Sequence, residues 1–478
     1  MIYSFFYYSK KMKTKSIFLG LLFFLATSPF LIAQERQQEE DARTIREIYN
    51  KALTEGSCYQ WLYHLTKEVG GRLAGSPQSA AAVAYGQHIL DTLGMDSVYL
   101  QPCTVPTWVR GEAEQVRIVN SQQIGTQELH ALALGNSVGT GPDGLVAGVI
   151  EVQSLDEVEK LGRAQLEGKI VFYNRPMDPT QMNTFSAYGG AVDQRGIGAS
   201  KASEYGAVAT LVRSMTTRLD DIPHTGAMGY KEGVTPIPAF AISTNDAELL
   251  SRLLKKEEVN VFVRSTCEPT PPATSYNVIG EIRGSTYPDE IILIGGHLDS
   301  WDVGEGAHDD GAGCVHAMQV IELLKKMNYQ PERTIRCVLF MNEESGLGGA
   351  RAYWKASNDA GEYHMAAIES DRGGFTPRGF TFEADDNVFT TKFQQVYEWL
   401  PLLEPYGLGL KKGGSGADIS GLKIQQGLLI GFEPDSQRYF DYHHTAIDTF
   451  EAVNKRELEL GAASITALVY LLDKYGLK

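Results

Sequence analysis

Hydrophobic and polar positions follow two periods along this chain, and the period changes with position. From Glu39 to Leu53 and from Ser79 to Leu93, apolar residues recur at helical spacing among polar ones, which predicts two helices covering a sheet. The turn-forming run Gly70-Gly71-Arg72-Leu73-Ala74-Gly75-Ser76-Pro77 parts them. Between about Glu112 and Thr266 the texture shifts to short apolar runs set between glycine-rich turns. Val146 to Val152, Ile170 to Tyr173, Val208 to Val212 and Phe240 to Ile242 are the strands this predicts, in a small β-rich insert. The segment Cys267-Glu268-Pro269-Thr270-Pro271-Pro272-Ala273-Thr274 predicts a stiff connector back to the main body. Beyond it, strands at Ile291 to Ile294, Ile335 to Phe340, Met365 to Ile368 and Leu428 to Ile430 alternate with helices at Gly311 to Met327 and Lys455 to Lys474. Such alternation predicts an α/β fold, a mixed and mostly parallel sheet flanked by helices.

The 478-residue chain, 43% hydrophobic, is long enough to bury a core in two or three domains. The partition expected is 1–33 as a leader, 34–111 and 267–478 as the main domain, and 112–266 as the insert. Lys10, Lys11, Lys13 and Lys15 precede an apolar run from Ile17 to Ala33, and polar Gln34 follows, the layout of a cleavable signal peptide. Thr27, Ser28 and Pro29 interrupt that run, which is short for a membrane span of about 20 residues. A periplasmic or secreted protein cut near Ala33, with no stable membrane anchor, is therefore expected. Met12 opens a tidier signal than Met1 does.

Residues 1–33 hold four Lys and no acid, so their removal leaves 39 basic against 59 acidic residues, a formal charge of −20. That balance excludes nucleic acid as a natural partner. Five scattered cysteines without a CxxC pair exclude a disulfide scaffold and thiolate zinc. Cys314 and Cys337 sit in apolar stretches as small core residues, and a Cys58–Cys103 or Cys103–Cys267 bond is open in an oxidising compartment.

Chemistry gathers where strands end, because in open α/β sheets the backbones diverge there and leave a crevice. The first strand of the main sheet runs through Gly295-Gly296 to His297-Leu298-Asp299, the second to Asn342-Glu343-Glu344, the third to Glu369-Ser370-Asp371. A glycine-rich loop supplies Asp309-Asp310-Gly311 ahead of a helix, and Tyr442-His443-His444-Thr445 stands near the end. Imidazoles mixed with carboxylates suit zinc, whereas oxygen-only sets suit calcium or magnesium. A pair of metals needs a bridging ligand and a spare carboxylate to take a proton from water, and five ligands plus one Glu answer that need. Any one of these residues alone is more often packing or a turn; their joint appearance at successive strand ends carries the argument. No HExxH helix occurs, which disfavours thermolysin-like proteases.

The stretch Gly295-Gly296-His297-Leu298-Asp299-Ser300-Trp301-Asp302, Asp309-Asp310-Gly311-Ala312-Gly313 and Asn342-Glu343-Glu344-Ser345-Gly346 resembles the co-catalytic di-zinc exopeptidases, the group of bacterial double-zinc aminopeptidases and glutamate carboxypeptidases. Leu166-Glu167-Gly168-Lys169-Ile170-Val171 and Ile237-Pro238-Ala239-Phe240 make the insert resemble a protease-associated domain. The resemblance implies two Zn2+ ions per chain, with Asp309 bridging, His297 and Asp371 on one side, Glu344 and His444 on the other. It implies Glu343 as general base and later acid, Asp299 accepting the second N–H of His297, and a cis peptide after Asp309. His444 is preferred to His443 because His444-Thr445-Ala446-Ile447-Asp448-Thr449 matches the family's ending, which leaves His443 and Asp448 to the pocket or the ligands' supports. The loop Gly413-Gly414-Ser415-Gly416-Ala417-Asp418 resembles a segment facing the substrate, so Asp418, His443 and Gly414 are the candidate substrate-binding residues. His308 and His316 are expected to be packing residues.

A receptor-like relative that lost catalysis would lack ligands or base, and a glutaminyl-cyclase-type acyltransferase would show a reduced ligand set; all six positions stand here. The partner expected is a peptide substrate, with a homodimer possible as in relatives and the insert framing the cleft. Which terminus is trimmed is open: an aminopeptidase needs an acid for the ammonium, with Asp418 or Glu369 as candidates, and a carboxypeptidase needs a cation, with Arg372 or Arg351. The branch of the family that takes short peptides is the nearest in resemblance, which favours dipeptides.

Overall fold

The structure is a computed structural model in which residues 36–478 are described; the signal peptide expected over 1–33, with its cut near Ala33, lies outside them. No helix of the described residues is long and apolar enough to cross a membrane. Helix α1 (36–55) covers the first predicted helix, and α2 (Pro77–Thr92) the second. The latter starts two residues earlier than the apolar periodicity suggests, because Ser76 accepts the Ser79 N–H and Pro77 occupies the first turn, where its missing N–H costs nothing.

Two eight-stranded sheets follow. The first contains β1 (Ser97–Val109); the second is built between Gln115 and Arg264 from β2 (Gln115–Ser121), β3 (Gly125–Leu129), β4 (Ala131–Ala133), β5 (Leu145–Val152), β6 (Ile170–Tyr173), β7 (Ala209–Arg213), β8 (Ala239–Ile242) and β9 (Asn260–Arg264). The first sheet then resumes with β10 (Glu268–Ile282), β11 (Tyr287–His297), β12 (Arg333–Phe340), β13 (Tyr363–Glu369), β14 (Pro377–Glu383), β15 (Gly409–Lys412) and β16 (Leu428–Pro434). Its order is β1-β10-β12-β11-β13-β16-β14-β15, and the four strands β12-β11-β13-β16 at its centre are parallel. Helices α3 (Ala312–Lys326), α4 (Gly348–Ala360) and α5 (Lys455–Tyr475) pack on this sheet, α3 and α5 in the main apolar core. Asn454 caps α5 by accepting the Arg456 and Glu457 N–H groups.

Two expectations change. The proline-rich connector is a strand: β10 pairs with β1 from Glu268↔Val109 to Glu281↔Ser97, and with β12 only from Val278 to Ile282. Pro269, Pro271 and Pro272 therefore lie where one side of β10 has no strand beside it, so their missing N–H groups break no ladder on that side. The insert is not simply β-rich, since its strands β5 to β8 are parallel and joined through helices such as Leu155–Leu166 and Gly198–Glu204. All five cysteines are buried free thiols, so neither disulfide pairing is formed; Cys58 and Cys103 belong to the main core and Cys267 to the core of the second sheet.

Candidate active site

At the C-terminal ends of the central parallel strands, polar groups converge on one place. Strand β11 ends at His297, β12 leads into Asn342, Glu343 and Glu344, and β13 leads through Glu369 to Asp371. Asp309 comes from the turn before α3, and the segment after β16 brings His443 and His444. The Asp309–Asp310 peptide is cis.

Asp309 is the centre of the group. Its Oδ1 lies 3.2 Å from His297 Nε2 and its Oδ2 lies 3.4 Å from His444 Nε2. His297 Nε2 is also 3.4 Å from Asp371 Oδ1, and His444 Nε2 is 3.0 Å from Glu344 Oε2. One carboxylate thus faces a histidine–carboxylate pair on each of its oxygens. Asp309 Oδ2, Glu344 Oε1 and Asp371 Oδ1 are buried and have no hydrogen-bond partner. Unpaired buried carboxylates cost several kcal/mol each unless a cation compensates them. The donor set, imidazole and carboxylate without thiolate, fits zinc.

The titration behaviour has the same origin. Burial would keep the His297 imidazole neutral, yet the Asp371 and Asp309 carboxylates hold its pKa well above the ordinary value. Burial opposes ionisation of Asp309 too, but His297, His443 and His444 keep it below the usual carboxylate range. Burial, with Asp371 and Asp309 adding and His297 opposing, pushes the Glu343 carboxyl up to about 8. Burial and Asp309 raise Glu344 well above its usual value.

Supporting contacts fix the expected ligands. His444 Nδ1 lies 3.3 Å from the Thr225 carbonyl, contributed by the insert, and its Nε2 is left facing Asp309 and Glu344. His297 Nδ1 is 3.0 Å from the backbone carbonyl of Asp299, while the Asp299 carboxylate is 3.9 Å away. The expected carboxylate–histidine contact is thereby corrected: the peptide carbonyl accepts from His297. The Asp299 carboxylate accepts instead from the backbone N–H groups of Asn342 at 2.6 Å, Glu343 at 3.1 Å and Glu344 at 3.3 Å. It pins the turn that carries both the expected base and an expected ligand. Asp448 accepts the His308 and Asp309 N–H groups, and Asp310 those of His297 and Gly313.

His443 stacks on His444 with ring centroids 3.5 Å apart, and its Nε2 is 3.8 Å from Asp309 Oδ2, farther than that of His444. It lines a cleft of 260 Å³ that opens over Glu343, walled also by Phe185, Tyr188 and Arg195 of the insert and by Tyr439 and Phe440. The other two expected substrate contacts are elsewhere. The Gly414 carbonyl is engaged by Arg372 and Thr381, and Asp418 is wholly buried beside Glu369, where burial and that neighbour raise its carboxyl well above the usual range. Neither lines the cleft, because the loop folds its polar groups inward against β13 and β14. His316 is a packing residue, bonded to Ser370 Oγ and the Leu458 carbonyl. His308 is bonded to Gly374 N–H and stacked on Phe375.

Sequence reasoning found no chemistry in the insert and missed Tyr188, Arg195 and Thr225. No local pattern marks them: Arg195 sits in a four-residue helix, Asp193–Gly196, and Thr225 in an irregular loop.

Comparison with known proteins gives a consistent picture. Residues 277–469 match the model of Peptidase family M28. The chain is 34% identical to carboxypeptidase Q of Bos taurus, over 89% of this chain and 86% of that protein, and 33% identical to carboxypeptidase Q of Homo sapiens over the same shares. Among solved structures, a Peptidase M28 precursor from Shewanella amazonensis SB2B is similar with a TM-score of 0.86 at 36% identity, covering 92% of this chain and 99% of that one. The zinc aminopeptidase BSAP from Bacillus subtilis shares the fold, with a TM-score of 0.63 at 20% identity over 88% of this chain and 96% of that one.

Proposed function

Since the chain belongs to peptidase family M28, the co-catalytic zinc exopeptidases, we propose that it hydrolyses short peptides, dipeptides above all, with two zinc ions and Glu343 as general base. The observation that carries this reading is Asp309, which offers one oxygen to His297 and the other to His444, each with its own carboxylate partner. In this reading His297, Asp371 and Asp309 hold one ion, and Glu344, His444 and Asp309 the other. Bound zinc would supply Lewis acidity toward the scissile carbonyl and lower the pKa of a nearby water. The Glu343 carboxylate takes the proton of the attacking water and passes it to the departing amine nitrogen as the C–N bond breaks. The Asp299 carboxylate holds the Glu343–Glu344 backbone still during that transfer.

Names of relatives disagree about the terminus: carboxypeptidase Q on one side, zinc aminopeptidase on the other. The test is hydrolysis of a panel of free, N-blocked and C-amidated dipeptides by residues 34–478, with zinc, with chelator, and in Glu343→Gln. Turnover that needs zinc and falls roughly 10³-fold or more in Glu343→Gln, with metal content unchanged, is the expected result. Metal bound without cleavage of any peptide would refute the exopeptidase reading and favour an acyl transferase or a binding role.

A further inference from the structure

The run Gly70-Gly71-Arg72-Leu73-Ala74-Gly75-Ser76-Pro77, which reads in the sequence only as a turn between helices, carries a guanidinium into the interior. Arg72 is 0% exposed and lies outside residues 277–469, the part of the chain that matches the family model. Each of its side-chain nitrogens donates to a backbone carbonyl: Nε to Leu298 at 2.6 Å, Nη1 to Glu305 at 2.7 Å and Nη2 to Gly306 at 2.8 Å. Leu298 follows the expected ligand His297, and Glu305 and Gly306 open the turn that delivers Asp309. The Arg72 backbone is locked to the same region, its N–H donating to Ser300 Oγ at 3.1 Å and its carbonyl accepting the Ser300 N–H at 3.4 Å. Glycines make the close approach feasible. A Cβ on Gly306 would overlap Ser300 and crowd Arg72 Nη1, and one on Gly71 would overlap the Gly304 carbonyl.

Every polar backbone group of a buried turn must find a partner within the protein. Residues 307–311 are buried, and their turn is gripped from two sides. Asp448 takes the N–H groups, through its carboxylate from His308 and Asp309 and through its carbonyl from Glu305. Arg72 takes the carbonyls. None of these contacts uses a side-chain atom of His297 or Asp309, so the grip is independent of what those side chains bind. Burial opposes the Arg72 charge, and the carboxylates of Asp448, Asp299 and Asp310 favour it. Lysine is no substitute, because its N–H bonds radiate from one nitrogen whereas the guanidinium spreads its donors over three. We propose that Arg72 is a positioning residue for the expected metal centre: it sets the spacing of His297 and Asp309 by tying the end of β11 to the turn before α3, and it holds that turn formed before any ion binds. The first half rests on the di-zinc reading; the preformed turn does not.

Two measurements test this. In the first, Arg72→Lys and Arg72→Gln are compared with the parent protein and with Arg333→Gln. Arg333 is also a buried guanidinium, paired with Glu290, but it starts β12 at the end away from the site. Zinc affinity is read by competition with a chromophoric chelator at a temperature where melting curves show each variant folded, and the visible absorption of the cobalt-loaded protein reports the geometry around the ions. Arg72→Gln is expected to bind zinc roughly 10- to 100-fold more weakly, with an altered cobalt spectrum, and Arg72→Lys to fall between it and the parent. Arg333→Gln should melt earlier yet keep the parent's affinity and spectrum. Parent-like affinity and spectrum in folded Arg72→Gln overturn the proposal, as does a loss that Arg333→Gln shares. In the second, hydrogen exchange of chelator-treated parent protein is followed at the amides of Glu305, His308, Asp309 and Gly311. Exchange as slow as that of the paired amides of β11 is expected, and roughly 10-fold or more faster in Arg72→Lys, the effect of one lost hydrogen bond of a charged donor. Fast exchange that only zinc slows would show that metal forms the turn, and overturns the proposal even if neither Arg72 variant folds. A parent protein with these amides protected that binds neither zinc nor cobalt fails the di-zinc reading alone. Zinc-dependent peptide turnover beside a turn unprotected in the chelator-treated protein fails this proposal alone.

Discussion

Asp299 shows how much one buried carboxylate governs. Its oxygens hold three consecutive backbone N–H groups at the turn bearing Glu343 and Glu344. An amide in its place can accept through one oxygen only, so Asp299→Asn should loosen that turn. The expected outcome is a zinc affinity about 10- to 100-fold weaker, measured by competition with a chromophoric chelator. His316 offers a different prediction. Burial, only partly offset by the Leu458 carbonyl, lowers its pKa to about 4, so it stays neutral in the fold while the unfolded chain takes up a proton below about 6.5. Between those values the unfolded state binds more protons, and stability falls as pH falls. Compared with His316→Asn, the parent protein should lose stability more steeply from pH 6 to 4.5, by about 1.4 kcal/mol per pH unit. Urea melts of the chelator-treated proteins check this, and equal slopes would show that His316 is not buried neutral.

At the scale of elements, the strand ends place the histidines and carboxylates of the site, and glycines decide how closely those ends meet. Gly313, on the first turn of α3, lies so close to the Ser370 carbonyl and the Asp310 carboxylate that a methyl group cannot be accommodated. Gly313→Ala must push α3 away from the end of β13 and so part Asp309 from Asp371. Overpacking of this kind costs about 1–3 kcal/mol, and a lowered melting temperature with less than the parent's zinc content is expected from calorimetry and metal analysis. The apolar runs of β6, β11, β12, β13 and β16 were legible in the sequence because strands buried on both faces are continuous apolar stretches. β1 and β10 were not. Their outer halves pair only with each other, so they tolerate prolines and polar residues that read as a linker.

At the scale of the whole molecule, the second sheet closes over the ends of the first. Thr225 and His224 bond to His444 and His443, and Trp301 packs into the second sheet's apolar core. Metal that joins ligands from separate segments binds the folded chain and not the unfolded one, so it must stabilise the whole. Free zinc at about 1,000 times its dissociation constant adds about 4 kcal/mol. Zinc-loaded protein should therefore melt several degrees above chelator-treated protein, and coincident melting curves would deny these residues a metal role.

By itself the sequence determined the α/β class, the four central strands of the main sheet with the helices before β12 and at the end, and a set of histidines and acids at strand ends. Local periodicity and the C-terminal crevice of a parallel sheet are properties of short segments, so a linear reading reaches them. Tertiary structure alone decided that Asp299 holds the 342–344 turn rather than the His297 ring, that Asp418 is buried out of reach, and that Arg195 enters the cleft. Each of these depends on how segments distant in the chain come to rest against one another, as Asp299 meets the 342–344 turn and Asp418 meets Glu369. Residues 195 and 444 lie 249 positions apart and meet only because two sheets pack together, a contact no local pattern encodes.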